Sequence, residues 1–560
     1  MSLPIDKLPK DRLVISLDFG TTYSGVAYAF NIPGKKVDVT AIQDWPGLEG
    51  YRQPKVPTLI LYDEKDPSKF KWGGQVNWRD PAVRGVKLLL DPGQHRPMYF
   101  PASTMKKDRR AFSKDPVDIA ADFIGAIYKH ALSVVESAGL QDYFNFCQKD
   151  FVLTVPAAAK KAGIYPVTMI KEPEAAALYT LTTHDHAIKA GDTFVLCDAG
   201  GGTVDIITYE IESIEPYLQL RELVPGEGIM AGSLGLNKRF EESVQELVGE
   251  DQFYLLKKTV GWSKVVNDFD KNIKTAFNGD PGDIQYVSFP KANLQDDFDE
   301  GLSGNIWEMT GDVLQGIFNP IIIDILRLVD KQVTDARLKR GGQNVKAIFL
   351  VGGFGSSRYL KERLERVYKP QGIQVLQPPD AWQAIVNGAV LSRLSNQATV
   401  VSTKAVRHYG VSSWNLYDPQ SDHGRVTKFQ PDEGKDRVEK LSWFIYMGAD
   451  LKRDQTIKLP FFQSLKKFFT PDDLIFDDEL LFSEAKTAPD YPGPDVKKCC
   501  TVKADLSGVK KNQLVRRTGA DGKIYFDLHY YLVLNTTQAN LKFSVEFKGK
   551  EMGSAEATYV

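Results

Sequence analysis

The sequence contains little cysteine. Only four cysteines occur among its 560 residues, at positions 147, 197, 499 and 500. None has the spacing of a metal-binding motif, and the adjacent pair Cys499 and Cys500 can form a disulfide only with strain. The sequence therefore argues against a disulfide scaffold and a cysteine-based metal site. It predicts a reducing compartment, cytoplasmic or nuclear.

A strong net charge and a long apolar run are also missing. Lysine and arginine number 70 against 72 acidic residues, which gives a net charge of −2. A chain with so little net charge attracts neither nucleic acid nor an acidic membrane surface. The most apolar stretch, residues 320–326, is short and contains Asp324, so it cannot cross a bilayer. The first residues lack a signal-peptide layout. We expect no nucleic-acid partner and no membrane partner.

Two loops share one composition. The first is DFGTT at 18–22, after the apolar run 13–17, and the second is DAGGGT at 198–203, after the apolar run 194–197. Glycines let a backbone turn sharply and bring bare N–H groups close to a phosphate, and threonine hydroxyls add donors. An aspartate at a strand end repels phosphate but holds hydrated Mg²⁺. The repeated pattern predicts that two loops grip a metal-bound nucleotide from two sides.

A third glycine loop follows another apolar run. Residues 345–351 predict a strand, 352–357 (GGFGSS) a turn, and 359–364 the start of a helix. A strand, a glycine turn and a helix N-terminus can form a pocket for a polar ligand. The loop has neither P-loop nor dinucleotide-binding spacing, so alone it is weak support.

The periodicity changes along the chain. Up to about residue 397, strand-like and helix-like segments alternate, with helices expected over 115–138, 236–248 and 312–335. This alternation predicts an α/β class. Beyond residue 398 the chain is rich in aromatic and β-branched residues. We expect a β-rich domain at 398–560, with the charged segment 421–440 forming loops.

Five motifs in order resemble the seventy-kilodalton heat-shock (DnaK-like) chaperones, as a divergent, fungal-type member. They are the two phosphate loops at 18–27 and 198–205, the EPEAAA helix at 172–177, the adenosine loop at 351–357 and the second connecting helix at 384–389. The resemblance covers about 13–394 and implies a two-lobed actin-like ATPase domain (ribonuclease H-like repeats) at 1–397. It implies that 398–560 is a reduced substrate-binding β-sandwich without a helical lid.

The resemblance also implies roles for individual residues. Asp18 and Asp198 would organise Mg²⁺, and together with Glu172, which would position the attacking water, they are the catalytic candidates. ATP or ADP would be bound by the glycines, hydroxyls and flanking polar residues of the motifs. These are Gly20, Thr21, Thr22, Tyr23, Gly200, Gly201, Gly202, Thr203, Asp205, Gly232, Lys274, Gly352, Gly353, Gly355 and Ser356.

Simpler interpretations exist for several of these residues. Asp18 and Asp198 could cap turns, and Glu172 could serve as a helix-terminus charge. Thr203 could be an ordinary strand residue, and Lys274 a solvated helix lysine.

One departure from the family concerns its catalytic lysine. Asn77 stands where that lysine is expected, and none of the nearby residues Lys71, Arg84 and Lys87 is at the matching position. Phosphoryl transfer gains much of its rate from cations that neutralise developing charge. The sequence therefore predicts slow hydrolysis, or nucleotide binding without turnover.

Three functions are compatible with these observations. The leading one is a chaperone-like weak ATPase that couples nucleotide state to the C-terminal domain through residues 391–395, with client polypeptides or helper proteins as partners. The second is a pseudo-ATPase scaffold, favoured by the missing lysine. The third is a sugar kinase of the same fold, for which no additional acid is placed as a base.

Overall fold

Two sheets with the same strand order form the framework of the first of two structural units. The computed structural model describes residues 11–558 except 33–34, 36, 78–79, 91–113, 138–143, 145–146, 155, 165–166, 184–188, 395–397, 453–454 and 537–539. The chain divides into the units Met1–Val400 and Val401–Val560.

Most strands of the first unit are short and buried. In chain order they are β1 (Arg12–Asp18), β2 (Tyr23–Asn31), β3 (Thr40–Ala41), β4 (Lys55–Pro57), β5 (Ile60–Tyr62), β6 (Phe70–Trp72), β7 (Gln148–Leu153), β8 (Val167–Met169), β9 (Thr193–Ala199), β10 (Val204–Ser213), β11 (Leu218–Ile229), β12 (Ile284–Ser288), β13 (Leu302–Ser303), β14 (Ile306–Thr310), β15 (Ala347–Val351) and β16 (Gln374–Leu376).

Ten α-helices connect and cover these strands within the described residues. They are α1 (Lys87–Leu90), α2 (Pro116–Ser137), α3 (Pro156–Lys161), α4 (Glu172–Thr183), α5 (Leu234–Leu256), α6 (Val260–Asp268), α7 (Lys274–Ala276), α8 (Gly311–Lys339), α9 (Arg358–Tyr368) and α10 (Ala384–Leu391). A π-helical turn, Phe269–Ile273, joins α6 to α7. None of the described helices is long and apolar enough to cross a membrane.

The two sheets repeat one topology. The first has the order β3-β2-β1-β7-β8, with β4 also on β2, and the second contains β11-β10-β9-β15-β16 in order. In each, the first strand along the chain is antiparallel to the next and parallel to a later one: β1 pairs with β2 and β7, and β9 with β10 and β15. Asp18 and Asp198 consequently lie at equivalent strand ends.

Two helices that follow equivalent strands cross closely. A Cβ atom added to Gly388 of α10 would lie 1.7 Å from the carbonyl oxygen of Ala175 in α4, so only glycine permits this approach. The Ser16 hydroxyl of β1 donates to the Val386 carbonyl oxygen at 2.7 Å. These contacts hold α10 against β1 and α4, which begins at Glu172, against α10.

The predicted helices are present. Segments 115–138, 236–248 and 312–335 correspond to α2, α5 and α8, and the latter two are longer than predicted. In α8, six apolar residues at helical spacing are buried: Leu314, Ile317, Phe318, Ile321, Ile322 and Ile325. The mixed α/β class is therefore confirmed.

The second unit is β-rich, as predicted. Its strands are β17 (Ala398–Lys404, which begins just before the unit), β18 (His408–Leu416), β19 (Thr427–Gln430), β20 (Lys435–Ile445), β21 (Asp450–Lys452), β22 (Thr456–Lys466), β23 (Ile475–Ser483), β24 (Val496–Asp505), β25 (Val515–Thr518), β26 (Ile524–Thr536), β27 (Asn540–Phe547) and β28 (Lys550–Thr558).

Two sheets of this unit, β19-β20-β18-β23-β24 and β22-β26-β27-β28 with β25 on β26, share one apolar core. They form a β-sandwich. The prediction of loops over 421–440 is partly wrong, because β19 and the start of β20 form a hairpin there. Lys428, Lys435 and Asp436 of this hairpin are exposed, whereas Asp432 and Val438 are buried.

Candidate functional site

The two acid–glycine–threonine loops lie against each other. A Cβ atom on Gly201 would be 2.2 Å from the Thr22 hydroxyl oxygen, and one on Gly202 would be 2.8 Å from the Thr21 side chain. Residues remote in sequence thus meet because they end equivalent strands of the two sheets. The glycine backbone of the second loop and the threonine side chains of the first loop meet at this contact. Such a convergence is suited to an anion.

The second loop is fixed to the start of α5. The N–H of Gly232 donates to the Gly202 carbonyl oxygen at 3.2 Å, and the N–H of Leu234 donates to that of Gly201 at 2.9 Å. A Cβ atom on Gly232 would lie 2.4 Å from the Gly201 backbone. Gly200 closes the loop by donating its N–H to the Thr203 carbonyl oxygen at 2.9 Å. The predicted residues of this loop therefore form one rigid turn.

The third loop reaches the same place. Gly352 has a φ of +84°, and a Cβ atom there would lie 2.5 Å from Asp198 Oδ1. Gly353 lies beside Trp382, whose ring packs edge-on against Tyr23 of the first loop at 5.2 Å between centroids. Gly352, Gly353 and Tyr23 are thus brought together with Asp198.

Two other predicted residues of the third loop have structural contacts. The Ser356 hydroxyl donates to the Gly353 carbonyl oxygen at 2.7 Å. Gly355 packs against Leu350, 3.5 Å from where its Cβ would be. Similarly, the carbonyl oxygen of Gly20 accepts a hydrogen bond from the Thr58 hydroxyl at 2.9 Å. These contacts shape the loops.

Two lysines form ion pairs with carboxylates near the loops. Lys55 Nζ lies 2.6 Å from Asp18 Oδ2, with both side chains buried. Lys87 donates to Glu172 Oε1, and the Thr203 hydroxyl donates to Asp205 Oδ2 at 3.0 Å. Thr203 lies in the turn between β9 and β10 and not within a strand, which excludes the simpler interpretation of this residue.

The electrostatics show an excess of negative charge. Burial and the Glu172 carboxylate raise the pKa of Asp198 to about 8, and the same causes raise the pKa of Asp205 to about 6. Asp18 contributes to the raised pKa of Asp198, which places the two aspartates in one electrostatic cluster. Burial acts to lower the pKa of Lys87, but Glu172 and Asp18 outweigh it and raise that pKa. Carboxyl groups in this state favour an added cation.

A hydrated Mg²⁺ fits these residues. Asp18 Oδ1 is buried and has no hydrogen-bond partner among the described residues. No group of three or more His, Cys, Asp or Glu side chains in that part of the chain could hold a metal directly. Mg²⁺ usually keeps several waters and needs only one or two carboxylates. Asp18 and Asp198 are the residues that would hold it.

The site contains a lysine, although none stands at the position that the family spacing predicts. Lys87 does not match the family spacing, yet its ammonium contacts Glu172 and acts on Asp205. Lys87 begins α1, and its contact with Glu172, at the start of α4, joins residues 85 positions apart. Spacing along the sequence could not reveal a lysine delivered by this tertiary contact.

Lys274 is held in a separate polar cluster. Its ammonium contacts Asp270 and lies 3.1 Å from Asn237 Oδ1, and its side chain is only 11% exposed. The interpretation of Lys274 as a solvated lysine is therefore wrong. Burial lowers the pKa of Lys274. Burial acts to raise the pKa of Asp270, but the Lys274 ammonium outweighs it, so that the pKa of Asp270 is lowered. The Asp270 charge also acts on Tyr23 of the first loop.

Sequence reasoning missed Lys55 and Trp382. Lys55 lies in β4, which is too short to show a strand pattern, and it joins the site only through pairing of β4 with β2. Trp382 lies just before α10 in a single 3-10 turn. In the sequence, Lys55 is marked only by the nearby prolines Pro54 and Pro57, which do not indicate a binding residue.

Comparison with known proteins identifies distant relatives of the chain. The chain is a distant homologue of divergent proteins of the seventy-kilodalton heat-shock type. It is similar to heat shock 70 kDa protein 12A of Mus musculus, with 24% identity over 90% of this chain and 86% of the relative. The 12A protein of Homo sapiens gives 24% identity over 89% and 85%. The human 12B protein gives 23% identity over 73% and 72%. Residues 188–368 also match the model of a domain of unknown function (DUF8340).

Proposed function

We propose that the unit Met1–Val400 is a two-lobed actin-like domain that binds ATP and ADP with Mg²⁺ between its two repeated sheets. The main support is the contact of Thr21 and Thr22 with Gly201 and Gly202. These residues belong to two loops of phosphate-binding composition that follow equivalent strands. Homology with the 12A proteins over most of the chain supports the same fold. The glycine backbones and threonine hydroxyls would bind the phosphates.

The proposed chemistry is weak ATP hydrolysis. Bound Mg²⁺ would supply positive charge at the phosphate oxygens. Glu172 would accept a hydrogen bond from the attacking water, and Lys87 would hold Glu172 in place and add positive charge to the site. Asp205, itself held by Thr203, would orient further water. The contact of Lys87 with Glu172 weakens the main support of the scaffold hypothesis, which was the missing lysine at the family position.

Calorimetric titration of the full chain with ADP and Mg²⁺ tests the binding proposal. Wild type should show saturable binding. Gly201→Ala should abolish it, because the new methyl group would separate the two loops. Gly493→Ala, where nothing lies within 4 Å of the new atom, is the matched control and should bind like wild type. Absence of saturable binding by wild type would contradict the proposal.

A turnover assay tests the role of Glu172. Glu172→Gln should lower ATP hydrolysis by about 100-fold, the usual contribution of a positioned base, while ADP affinity changes by less than about threefold. Equal hydrolysis by wild type and Glu172→Gln would contradict the proposed role.

The β-sandwich has a surface suited to a client polypeptide. Trp414 and Leu416 alternate on β18 and therefore share one face, and both are exposed. Exposed apolar groups on one sheet are typical of interaction sites. We propose that this surface binds apolar peptide segments. The variant Trp414→Ser with Leu416→Ser should weaken binding of a labelled apolar peptide, measured by fluorescence anisotropy. Phe429→Ser, at an exposed position on the opposite face of the sheet, should not.

A further inference from the structure

Lys55 reaches the candidate metal site across a glycine. In the register of the first sheet, Asp18 of β1 pairs with Gly25 of β2, and Gly25 pairs with Lys55 of β4. Residues directly opposite one another in neighbouring strands project from the same face. A Cβ atom on Gly25 would lie 3.0 Å from Lys55 Cγ. The missing side chain at position 25 thus leaves room for the lysine to cross β2.

The Lys55 ammonium contacts Asp18, one of the two aspartates that would hold the metal. Lys55 Nζ lies 2.6 Å from Asp18 Oδ2, and the side chains are 7% and 2% exposed. Asp18 keeps its other carboxylate oxygen, which has no hydrogen-bond partner among the described residues. The pair therefore neutralises Asp18 without blocking a cation, and a full positive charge is already present where the divalent ion would act.

Lys55 matters because acidic side chains outnumber lysines around the loops. Asp18, Glu172, Asp198 and Asp205 form one electrostatic cluster, in which Lys87 is engaged with Glu172. A phosphate chain that enters such a cluster without a metal would meet repulsion from the acids. A second buried ammonium offsets part of that repulsion.

We propose that Lys55 is a built-in cation that makes nucleotide binding by this chain only weakly dependent on Mg²⁺. This inference rests on the proposed nucleotide site and extends it. Mg²⁺ would still fit beside Asp18 and Asp198, but removal of Mg²⁺ would lower the affinity for ADP only slightly.

The test is calorimetry with ADP in saturating Mg²⁺ and in EDTA, on the full chain. Wild type should lose less than about tenfold in affinity when Mg²⁺ is removed. Lys55→Met should lose more than about 100-fold in EDTA, because a close charge pair is worth one to several factors of ten. In Mg²⁺ its affinity should fall by a clearly smaller factor, less than about tenfold, because the divalent ion supplies positive charge at the same place. Lys55→Arg, which keeps the charge, should resemble wild type.

Lys114→Met is the matched control. Lys114 forms a 2.7 Å ion pair with Asp122 in the same unit, and its contacts among the described residues are with Asp122 and Tyr62 and not with the loops. The Mg²⁺ dependence of Lys114→Met should therefore equal that of wild type. A loss of about 100-fold by wild type in EDTA overturns the inference, even where Lys55→Met does not fold, and leaves the nucleotide site standing. Equal weakening of Lys55→Met in Mg²⁺ and in EDTA assigns Lys55 a structural role and also overturns it. Absence of ADP binding by wild type in Mg²⁺ overturns the proposed function itself.

Discussion

The buried acids give the metal-free protein a pH-dependent stability. Asp198 and Asp205 have pKa values of about 8 and about 6, above their ordinary value of 3.8. The folded state therefore holds protons that the unfolded chain releases, so this stabilisation is complete below about pH 4 and is lost as pH rises through about 8. Without divalent cations, wild type should melt at progressively lower temperature than Asp198→Asn between about pH 5 and about pH 8.5.

Differential scanning calorimetry measures this difference. Asp299→Asn, at an exposed position, is the control and should follow wild type. A constant gap between wild type and Asp198→Asn across the range would show that Asp198 does not carry the effect.

A second prediction concerns Lys87. Lys87→Met removes the cation that contacts Glu172 and acts on Asp18 and Asp205. ATP turnover should fall by about 100- to 1000-fold, the usual effect of losing one charge-stabilising group. ADP affinity should fall by less than about tenfold. Lys114→Met controls for the loss of a lysine. Unchanged turnover of Lys87→Met in a steady-state phosphate-release assay would remove Lys87 from the mechanism.

The candidate site could be predicted in part from sequence. The three glycine loops were identified, because glycine, threonine and aspartate after apolar runs signal a turn that approaches a ligand. Lys55 and Lys87 were not, because neither lies in a glycine loop. Their places depend on the pairing of β4 with β2 and on the contact between the starts of α1 and α4. Local patterns do not encode such pairings.

At the level of elements, the crossing of α4 and α10 depends on one glycine. A methyl group at Gly388 would overlap the Ala175 carbonyl oxygen, so Gly388→Ala should lower the free energy of unfolding by about 1–3 kcal/mol, as overpacking does. Gly316→Ala, in α8 with nothing within 4 Å of the new atom, should be neutral or stabilising by up to about 1 kcal/mol. Urea denaturation of both variants checks the contrast. Equal stability of the two would show that α10 shifts freely.

Elements with strong periodicity were predicted well, and short ones were not. The apolar stripe of α8 predicted a helix close to the observed bounds, since its buried residues repeat at helical spacing over many turns. The sequence predicts a loop where β19 and the start of β20 form a hairpin, since β19 has only four residues and charged residues dominate the start of β20.

At the level of the whole molecule, we expect nucleotide to alter the connection between the two units. A ligand that binds both loops of the first unit favours the arrangement in which they lie together. If this change reaches residues 391–395, limited proteolysis should cleave after Leu394 at a rate that differs at least about threefold between ATP and ADP; Ser395 itself lies outside the described residues. Mass spectrometry of the fragments identifies the site. The same rate with ATP, ADP and no nucleotide would contradict coupling.

The repeated strand order has a consequence for how charge is shared between the halves. The equivalent strand positions make Asp18 and Asp198 counterparts in the two sheets. Lys55 breaks this equivalence, because its ammonium contacts Asp18 and reaches Asp198 only at longer range, too weakly to offset burial. Within the part of the chain that the structure describes, Asp18 therefore has a buried counterion in contact with it and Asp198 has none. A small cation that enters should accordingly be drawn toward Asp198, which makes the two equivalent strand ends chemically unequal.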